Sequence, residues 1–340
     1  MNREAIKLYY AYNEWANERI LDAAEGVAPE QLLQSNDFGW GSLLGALAHI
    51  LGAEWGWFNF LFGLESDARP RLEDFPTIEP LRERWKSENE NLRRCLDTLK
   101  DEDMTRIHTS VFGEREYHWV LWQALVHVVN HGTQHRSECA ALLTGFGQSP
   151  GDMDFTQFLY ERYGRSDFPL GDAEPIRRED IDLLWHYNDW ANDRILACAE
   201  GLSAEQLSTA NDFGWGSLRG ALVHLMDAEY AWRILLKDGE HVEWLQPEDF
   251  LDVASIRARW ASEREAFWVY LDSMSDADLS GKISYESEDG RRYRLLWQCL
   301  AHVVNHGTQH RAECAALLTG FGQSPGNLDL TEYLADAKLA

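Results

Sequence analysis

Cysteine is scarce in this sequence and forms no pattern typical of disulfide bonds. The odd set of five lies within 340 residues and shows no paired motif spacing: Cys95, Cys139, Cys198, Cys299 and Cys314. Disulfide-stabilised secreted domains carry denser and more regular cysteines. The predicted compartment is therefore a reducing cytoplasm.

Basic residues are also few, and long apolar runs are missing. The 31 Lys and Arg side chains face 57 Asp and Glu, so the formal net charge is −26. A polyanion such as a nucleic acid would be repelled, which excludes it as an expected partner. No apolar run approaches the ~20 residues of a membrane span, and the N-terminus has no apolar signal core. We expect a soluble protein without a membrane partner.

What the sequence does contain is a tandem repeat. The nine residues His127–His135 recur letter for letter at His302–His310, and the same shift of 175 positions relates most of the two halves. A unit of this length can enclose its own core, unlike the short units of solenoids. We predict two domains, 1–161 and 175–340, joined by a linker at 162–174 that contains Gly164, Pro169 and Gly171.

Apolar positions recur every three and four residues and predict four helices per half. In the first half they cover Ala5–Gly26, Ser42–Gly63, Ile78–Leu99 and Tyr117–Thr144. Ser42 suits an N-cap, and Gly145, Gly147 and Pro150 would end the fourth helix. The predicted fold class is all-α, with an antiparallel four-helix bundle in each half. Residues 110–117 and 284–293 are predicted to be loops or a short hairpin.

Histidines on the fourth helix form the candidate chemical site. Two imidazoles four residues apart lie on one helix face and can reach one ion. The helical geometry favours the pair His131 and His135, which lie in or beside the apolar stripe. It places His127 farther out, where it would either support a ligand or lie at the rim. A third ligand should come from another helix. The candidate is His49, whose counterpart 175 positions later is His224.

Three motifs are similar to those of the DinB-like (YfiT-like) metalloenzyme superfamily. They are Tyr-Asn-x-Trp-Ala-Asn from Tyr12, Trp-Gly-Ser-Leu-x-Gly-Ala-Leu-x-His from Trp40, and Asn-His-Gly-Thr-Gln-His-Arg-x-Glu from Asn130, and all three recur in the second half. The resemblance implies one divalent ion per repeat, zinc or nickel above all, on a four-helix bundle. The implied ligands are His49, His131 and His135 in the first half, and His224, His306 and His310 in the second. It also implies that the halves pack as an intramolecular pseudo-dimer.

The resemblance further implies a metal-dependent enzyme acting on a small molecule. Thiol S-transfer with a low-molecular-weight thiol is the leading subclass, and hydrolysis is the other. The alternative is a non-catalytic metal-binding or stress-response protein with structural ions, and one of the two sites could be vestigial. Metalloprotease chemistry is disfavoured because Gly132 stands where a protease would place its general base, directly after the first histidine.

Several polar residues near the histidines keep two interpretations each. Glu138 and Glu313 would either orient an imidazole or lie exposed in ion pairs, and Arg136 and Arg311 share this ambiguity. Glu54 and Glu229 are alternative bases or supports for a ligand. Cys139 and Cys314 could supply a fourth ligand, but small core residues are the favoured interpretation. The tryptophans paired between the halves are expected mainly in the cores, with a minority over the ion.

Overall fold

A computed structural model describes residues 1–36, 40–64, 68–164, 175–211, 214–287 and 290–340, without the side chain of Phe112. Most of the predicted linker, residues 165–174, therefore lies outside the described residues. None of the described helices combines the length and apolar character needed to cross a bilayer.

Within its described residues, the first copy contains four long helices, two short ones and a hairpin. Its elements are α1 Arg3–Glu25, α2 Pro29–Leu32, α3 Leu43–Phe62, α4 Ile78–Thr98, β1 Ile107–Phe112, β2 Arg115–Val120, α5 Leu121–Gly145 and α6 Phe155–Tyr163. Single 3-10 turns lie at Leu72–Asp74 and Asp101–Thr105. Ser42 caps α3, because its side chain accepts a hydrogen bond from the Gly45 amide.

The second copy repeats this order. Its elements are α7 Arg178–Ala199, α8 Ala204–Leu207, α9 Leu218–Asp238, α10 Val253–Asp272, α11 Asp276–Leu279, β3 Lys282–Ser287, β4 Gly290–Leu295, α12 Leu296–Gly320 and α13 Leu330–Asp336, with a 3-10 turn at Pro247–Asp249. Ser217 caps α9 through the Gly220 amide. The all-α prediction with two four-helix bundles is confirmed.

Two details of the predicted secondary structure need correction. The fourth helix begins at Leu121, not at Tyr117, because residues 115–120 form β2 and pair antiparallel with β1. The segment considered as a loop or short hairpin is thus a regular hairpin, which turns at Gly113 with φ +62°. The second copy has the same hairpin, with Lys282 opposite Leu295.

The helix directions also differ from a simple antiparallel bundle. Helix α4 runs antiparallel to α1, since Lys7 bonds Asp97 while Arg82 bonds Asp22. In the second copy, Trp260 bonds Glu229 and Arg233 bonds Glu263, so α9 and α10 run parallel. The connection between them is long enough to return along the whole bundle, since a 20-residue helix measures about 30 Å. Periodicity fixes which residues face inward but carries no information on helix direction.

Each bundle buries a continuous apolar core. In the first, the core includes Ile20 and Leu47, which are fully buried, and Trp85, which is 1% exposed. In the second, Trp185 stacks on Phe267 with ring centroids 3.9 Å apart. Both bundles therefore have the large buried aromatic residues that stabilise a core of this size.

The compact units do not follow the repeat boundaries. One unit consists of Met1–Met153 with Asn327–Ala340, and the other of Asp154–Gly326. Helix α6 accordingly packs on α12, and α13 packs on α5. The predicted boundaries 1–161 and 175–340 stay a prediction about the duplicated segments. In the folded chain the last helix of each segment, α6 or α13, belongs to the compact unit formed mainly by the other segment. The helices on which α6 and α13 pack, α12 and α5, are nearly identical in sequence, so the repeat alone cannot assign either terminal helix.

Candidate metal centre

Three histidines converge in each unit. His49 comes from α3, His131 and His135 come from successive turns of α5, and their possible ligand nitrogens all lie within 4.8 Å of one another. The Nε2 atoms of His49 and His131 are 3.1 Å apart. The second unit brings His224, His306 and His310 together in the same way, again with a shortest nitrogen separation of 3.1 Å. The structure thus places all six residues as two triads, and their role as ligands stays a prediction.

The spacing of the nitrogens fits a divalent ion. A tetrahedral zinc ion with bonds of about 2.0–2.1 Å holds its imidazole nitrogens about 3.3 Å apart. The observed 3.1 Å between His49 and His131 is close to this value. The small shifts needed to enclose an ion are those of side-chain rotamers, so the residues present suit the group.

A carboxylate orients the third imidazole of each triad. The Nδ1 atom of His135 lies 2.8 Å from Oε2 of Glu138, and His310 and Glu313 repeat the contact at 2.9 Å. This bond holds the proton on Nδ1 and leaves Nε2 as the free ligand atom, which is the usual support of a metal-binding histidine. Of the two interpretations for Glu138, orientation of the imidazole is the one that the contact supports.

Burial keeps the imidazoles in the form that binds metal. Burial, then the charge of His135 and that of Arg69, lowers the pKa of His49 to about 3. Burial also lowers the pKa of His131 well below its ordinary value. In the second unit, His224 behaves like His49 and His306 like His131. Metal ligation requires a neutral imidazole, so these shifts favour binding at neutral pH.

A buried arginine lies behind the triad. Arg136 is 1% exposed, and its Nη1 donates to Oδ1 of Asn13 at 2.6 Å and to Oδ1 of Asn17 at 2.8 Å. Both amides donate in turn to Oε1 of Glu54, at 2.6 Å and 3.1 Å, and Nε1 of Trp85 donates to its Oε2 at 2.7 Å. The network therefore joins all four long helices and fixes α5, which carries two of the three histidines.

The second unit contains the same network. Arg311 donates to Asn188 at 2.6 Å and to Asn192 at 2.9 Å. Glu229 accepts from both amides and from Trp260. Both arginines are 1% exposed, so an exposed ion pair is not their role. The asparagines are supporting residues that the sequence analysis does not identify. The available signal was two asparagines four residues apart, repeated in both copies of the Tyr-Asn-x-Trp-Ala-Asn motif.

The buried glutamates serve this network and not the imidazole cluster. Glu54 is 2% exposed, and both of its oxygens accept hydrogen bonds from amide or indole groups. Burial raises its pKa, while hydrogen bonds from Asn13, Asn17 and Trp85 lower it. Burial, then the charge of Asp189, raises the pKa of Glu229 to about 7. These contacts favour a supporting role over that of a general base.

Gly132 is required by the close approach of this network. A Cβ atom at position 132 would lie 2.7 Å from Nη1 of Arg136 and 2.9 Å from Oδ1 of Asn13. At the counterpart Gly307 the corresponding distances to Arg311 and Asn188 are 2.6 Å and 2.7 Å. Real Cβ atoms do not approach other atoms so closely, and a glycine directly after the metal-site histidine therefore has a packing cause.

Tryptophan side chains cover the outer face of the triads. Trp40 stacks on His49 with ring centroids 3.6 Å apart, yet it is 52% exposed. Trp215 does the same on His224 at 3.7 Å and is 49% exposed. The expectation of core tryptophans holds for Trp85 but not for this pair, which belongs to the minority expected over the ion.

His127 and Cys139 are two further residues of α5 near the triad. Of the two positions expected for His127, the rim is wrong, because the side chain is 3% exposed and packs edge-on against Trp57 at 5.1 Å. Its ring lies 5.7 Å from that of His131, which agrees with the other expectation, a residue that supports a ligand. Cys139 is fully buried, and burial raises the pKa of its thiol. Within the described residues it is not part of the histidine group.

A helical bundle with three converging histidines defines a class of candidate metal-binding bundles, and this chain carries two of them. A sequence profile of the DinB family matches residues 1–167 and 177–338. The chain therefore belongs to the DinB family, in two tandem copies. It is also similar to Protein DinB of Bacillus subtilis (strain 168), with 26% identity over 166 residues, which is 47% of this chain and 96% of that protein.

Proposed function

We propose that each unit binds one divalent ion, zinc or nickel, and uses it in catalysis on a small molecule. The observation that carries the proposal is the convergence of three imidazoles in both units. Catalytic zinc sites keep three protein ligands and an open position, whereas structural sites are closed by four. Among the described residues, the groups assembled here contain three possible ligands each.

The reaction class we propose is thiol S-transfer, with hydrolysis as the second candidate. A divalent ion on three imidazoles stabilises a bound thiolate or lowers the pKa of a bound water to about 7. Either gives a nucleophile at neutral pH. We further propose a cytoplasmic protein, where thiol co-substrates are abundant and its own five cysteines stay reduced.

The chain's own residues would prepare this site in three ways. Glu138 holds the proton of His135 on Nδ1, which makes Nε2 the more basic ligand. The Arg136 network fixes α5 against α1, so that His131 and His135 keep their spacing. Trp40 covers the ring of His49 and shields that side from water.

Metal analysis tests the proposal directly. Protein prepared without an affinity tag should contain two equivalents of metal per chain, His131→Ala and His306→Ala should contain one each, and the double variant none. His118→Ala is the matched control, because this histidine is exposed on β2 and should leave two equivalents. Full metal retention in the double variant would overturn the assignment.

Turnover then separates catalysis from a structural ion. We would mix the zinc-loaded protein with 1-chloro-2,4-dinitrobenzene and glutathione, bacillithiol or mycothiol, and hydrolysis would be followed with 4-nitrophenyl acetate. Conjugation or hydrolysis that disappears in the double variant supports catalysis. Lack of turnover in all of these assays, together with a large loss of thermal stability on metal removal, would favour the non-catalytic alternative.

A further inference from the structure

A cavity of about 690 Å³ lies within the first unit, beside the triad. Its walls come from α3, the β1–β2 hairpin and the C-terminal segment that contains α13. Four of the residues that line it are aromatic: Trp57, Phe60, Tyr117 and Trp119. Ligand sites in proteins have volumes of about 300–1,000 Å³ and a largely apolar lining. This cavity has the dimensions and walls of a small-molecule site.

The cavity adjoins the candidate metal centre. Ala53 lines it and stands one helical turn after His49 on α3. Trp57, one turn further, packs against His127. Arg69 also lines the cavity and faces Gly52, which lies three residues after His49 on α3. The cavity therefore extends along the face of α3 that also carries His49, one turn beyond this histidine.

Arg69 carries a positive charge that no described residue neutralises. It is exposed, and its Nε lies 3.7 Å from the position of a Cβ on Gly52. Within the described part of the chain, its guanidinium has neither a hydrogen bond nor an ion pair. The protein as a whole is strongly acidic, so an unpaired arginine at an apolar cavity is a specific anchor for an anion.

The second copy has bulkier residues at the corresponding positions. The counterpart of Arg69 is Trp244, whose ring lies 6.1 Å from that of His224. The counterpart of Ala335, which lines the cavity, is Tyr160, and Arg292 lies over its ring at 4.4 Å. The repeat therefore retains both triads but changes the charge and the size of the residues beside them.

We propose that the cavity of the first unit binds a monoanionic small molecule with an aromatic or apolar body, its carboxylate held by Arg69 and its body by Trp57, Phe60 and Trp119. Glu332 also lines the cavity and opposes a second negative charge in the ligand. The inference rests on the proposed function, because it names the substrate class of the first metal centre. The second centre, with Trp244 in place of Arg69, does not share this preference.

The test uses a matched pair of probes, 2-naphthoate and its neutral analogue 2-naphthamide. Isothermal titration calorimetry is carried out on the full chain, both metal-free and zinc-loaded. Metal-free wild type should bind one 2-naphthoate per chain about tenfold more tightly than 2-naphthamide. Because this arm needs no metal, its failure is distinct from a failure to find metal in the protein.

Three variants test whether the preference depends on Arg69 and whether both probes bind in the cavity. Arg69→Gln should remove the tenfold preference and leave 2-naphthamide binding unchanged, whereas Arg71→Gln, an exposed arginine nearby that does not line the cavity, should keep it. Ala335→Tyr, which introduces the residue found in the second copy, should weaken both probes. Circular dichroism checks that each variant is folded.

Three outcomes would overturn the proposal. The first is wild-type affinity for 2-naphthoate in Arg69→Gln, and the second is equal binding of both probes by the wild type. The third is 2-naphthoate binding that requires zinc and ignores Arg69, since the carboxylate would then be a ligand of the metal alone.

Discussion

Replacement of Gly132 by alanine is the sharpest test of the packing argument, because two physical effects would change the free energy of unfolding in opposite directions. Alanine in the interior of a helix is about 1 kcal/mol more favourable than glycine. At position 132, however, the new Cβ would lie 2.7 Å from Nη1 of Arg136 and 2.9 Å from Oδ1 of Asn13. The guanidinium is buried and held by three hydrogen bonds, so it has no free direction in which to move.

The cost follows from the bonds that must break. Hydrogen bonds to a charged group contribute about 1.5–3 kcal/mol each, and displacement of Nη1 disturbs those to Asn13 and Asn17. Their loss, offset by the gain in helix propensity, predicts a net destabilisation of about 2–5 kcal/mol. The effect should fall on the unit that contains α5, and Gly307→Ala should have the same effect on the other.

Urea unfolding of the metal-free protein, followed by circular dichroism, measures this change. Gly56→Ala is the matched control: this glycine also lies inside a helix, but a Cβ there meets nothing within 4 Å. The control should stabilise the protein by about 0.5–1 kcal/mol. The reasoning is refuted if Gly132→Ala unfolds at the same urea concentration as wild type or at a higher one.

Three further predictions concern the triad, pH and a buried ion pair. Glu138→Gln should weaken zinc binding at the first site by about 10–100-fold, measured by competition with a chromogenic chelator, because His135 loses its carboxylate support. Burial lowers the pKa of His302 to about 3. The unfolded chain, with a pKa of about 6.5, therefore takes up the proton first, and the metal-free protein should lose roughly 2 kcal/mol from this residue between pH 7 and pH 5. Arg233→Met should destabilise the second unit by about 3 kcal/mol in urea unfolding, since it leaves Glu263 buried without this partner.

Each of these predictions has a control and a contrary result. Glu90→Gln, on an exposed face of α4, should leave zinc affinity unchanged, and an equal loss in both variants would contradict the role of Glu138. His302→Gln should flatten the pH dependence, and an unaltered slope would assign it to other groups. Arg291→Met removes an exposed, solvent-screened ion pair with Glu286 and should leave the urea midpoint almost unchanged. The prediction fails if both arginine variants behave alike.

The repeat, the long helices and the grouping of the histidines could all be predicted from the sequence. The reason is that helical spacing alone places His131 above His135, and the shift of 175 residues singles out His49 from the other histidines. The sequence was insufficient for contacts made between helices. The bonds from Arg136 to Asn13 and Asn17 span more than 100 positions, and no local period reports them.

Helix direction and strand character were missed for different reasons. The long connection after α3 allows α4 to run parallel to it, and neither amphipathic period nor capping residues record that choice. Residues 115–120 continue directly into α5, so their apolar positions resemble one more helical turn, and pairing with β1 decides the conformation. Residue type alone does not tell which tryptophans lie outside the cores, and the stacking of Trp40 on the imidazole of His49 is a contact that only the structure shows.

The exchange of terminal helices sets the order in which the two units can be completed during synthesis. A nascent chain leaves the ribosome from its N-terminus, and the first domain of a tandem protein ordinarily folds first. Here Asp154–Gly326 is one continuous stretch, whereas the other unit needs Asn327–Ala340 as well as Met1–Met153. The N-terminal bundle therefore becomes complete last, and a stop codon after Gly326 would truncate the bundle that was begun first while sparing the one begun second.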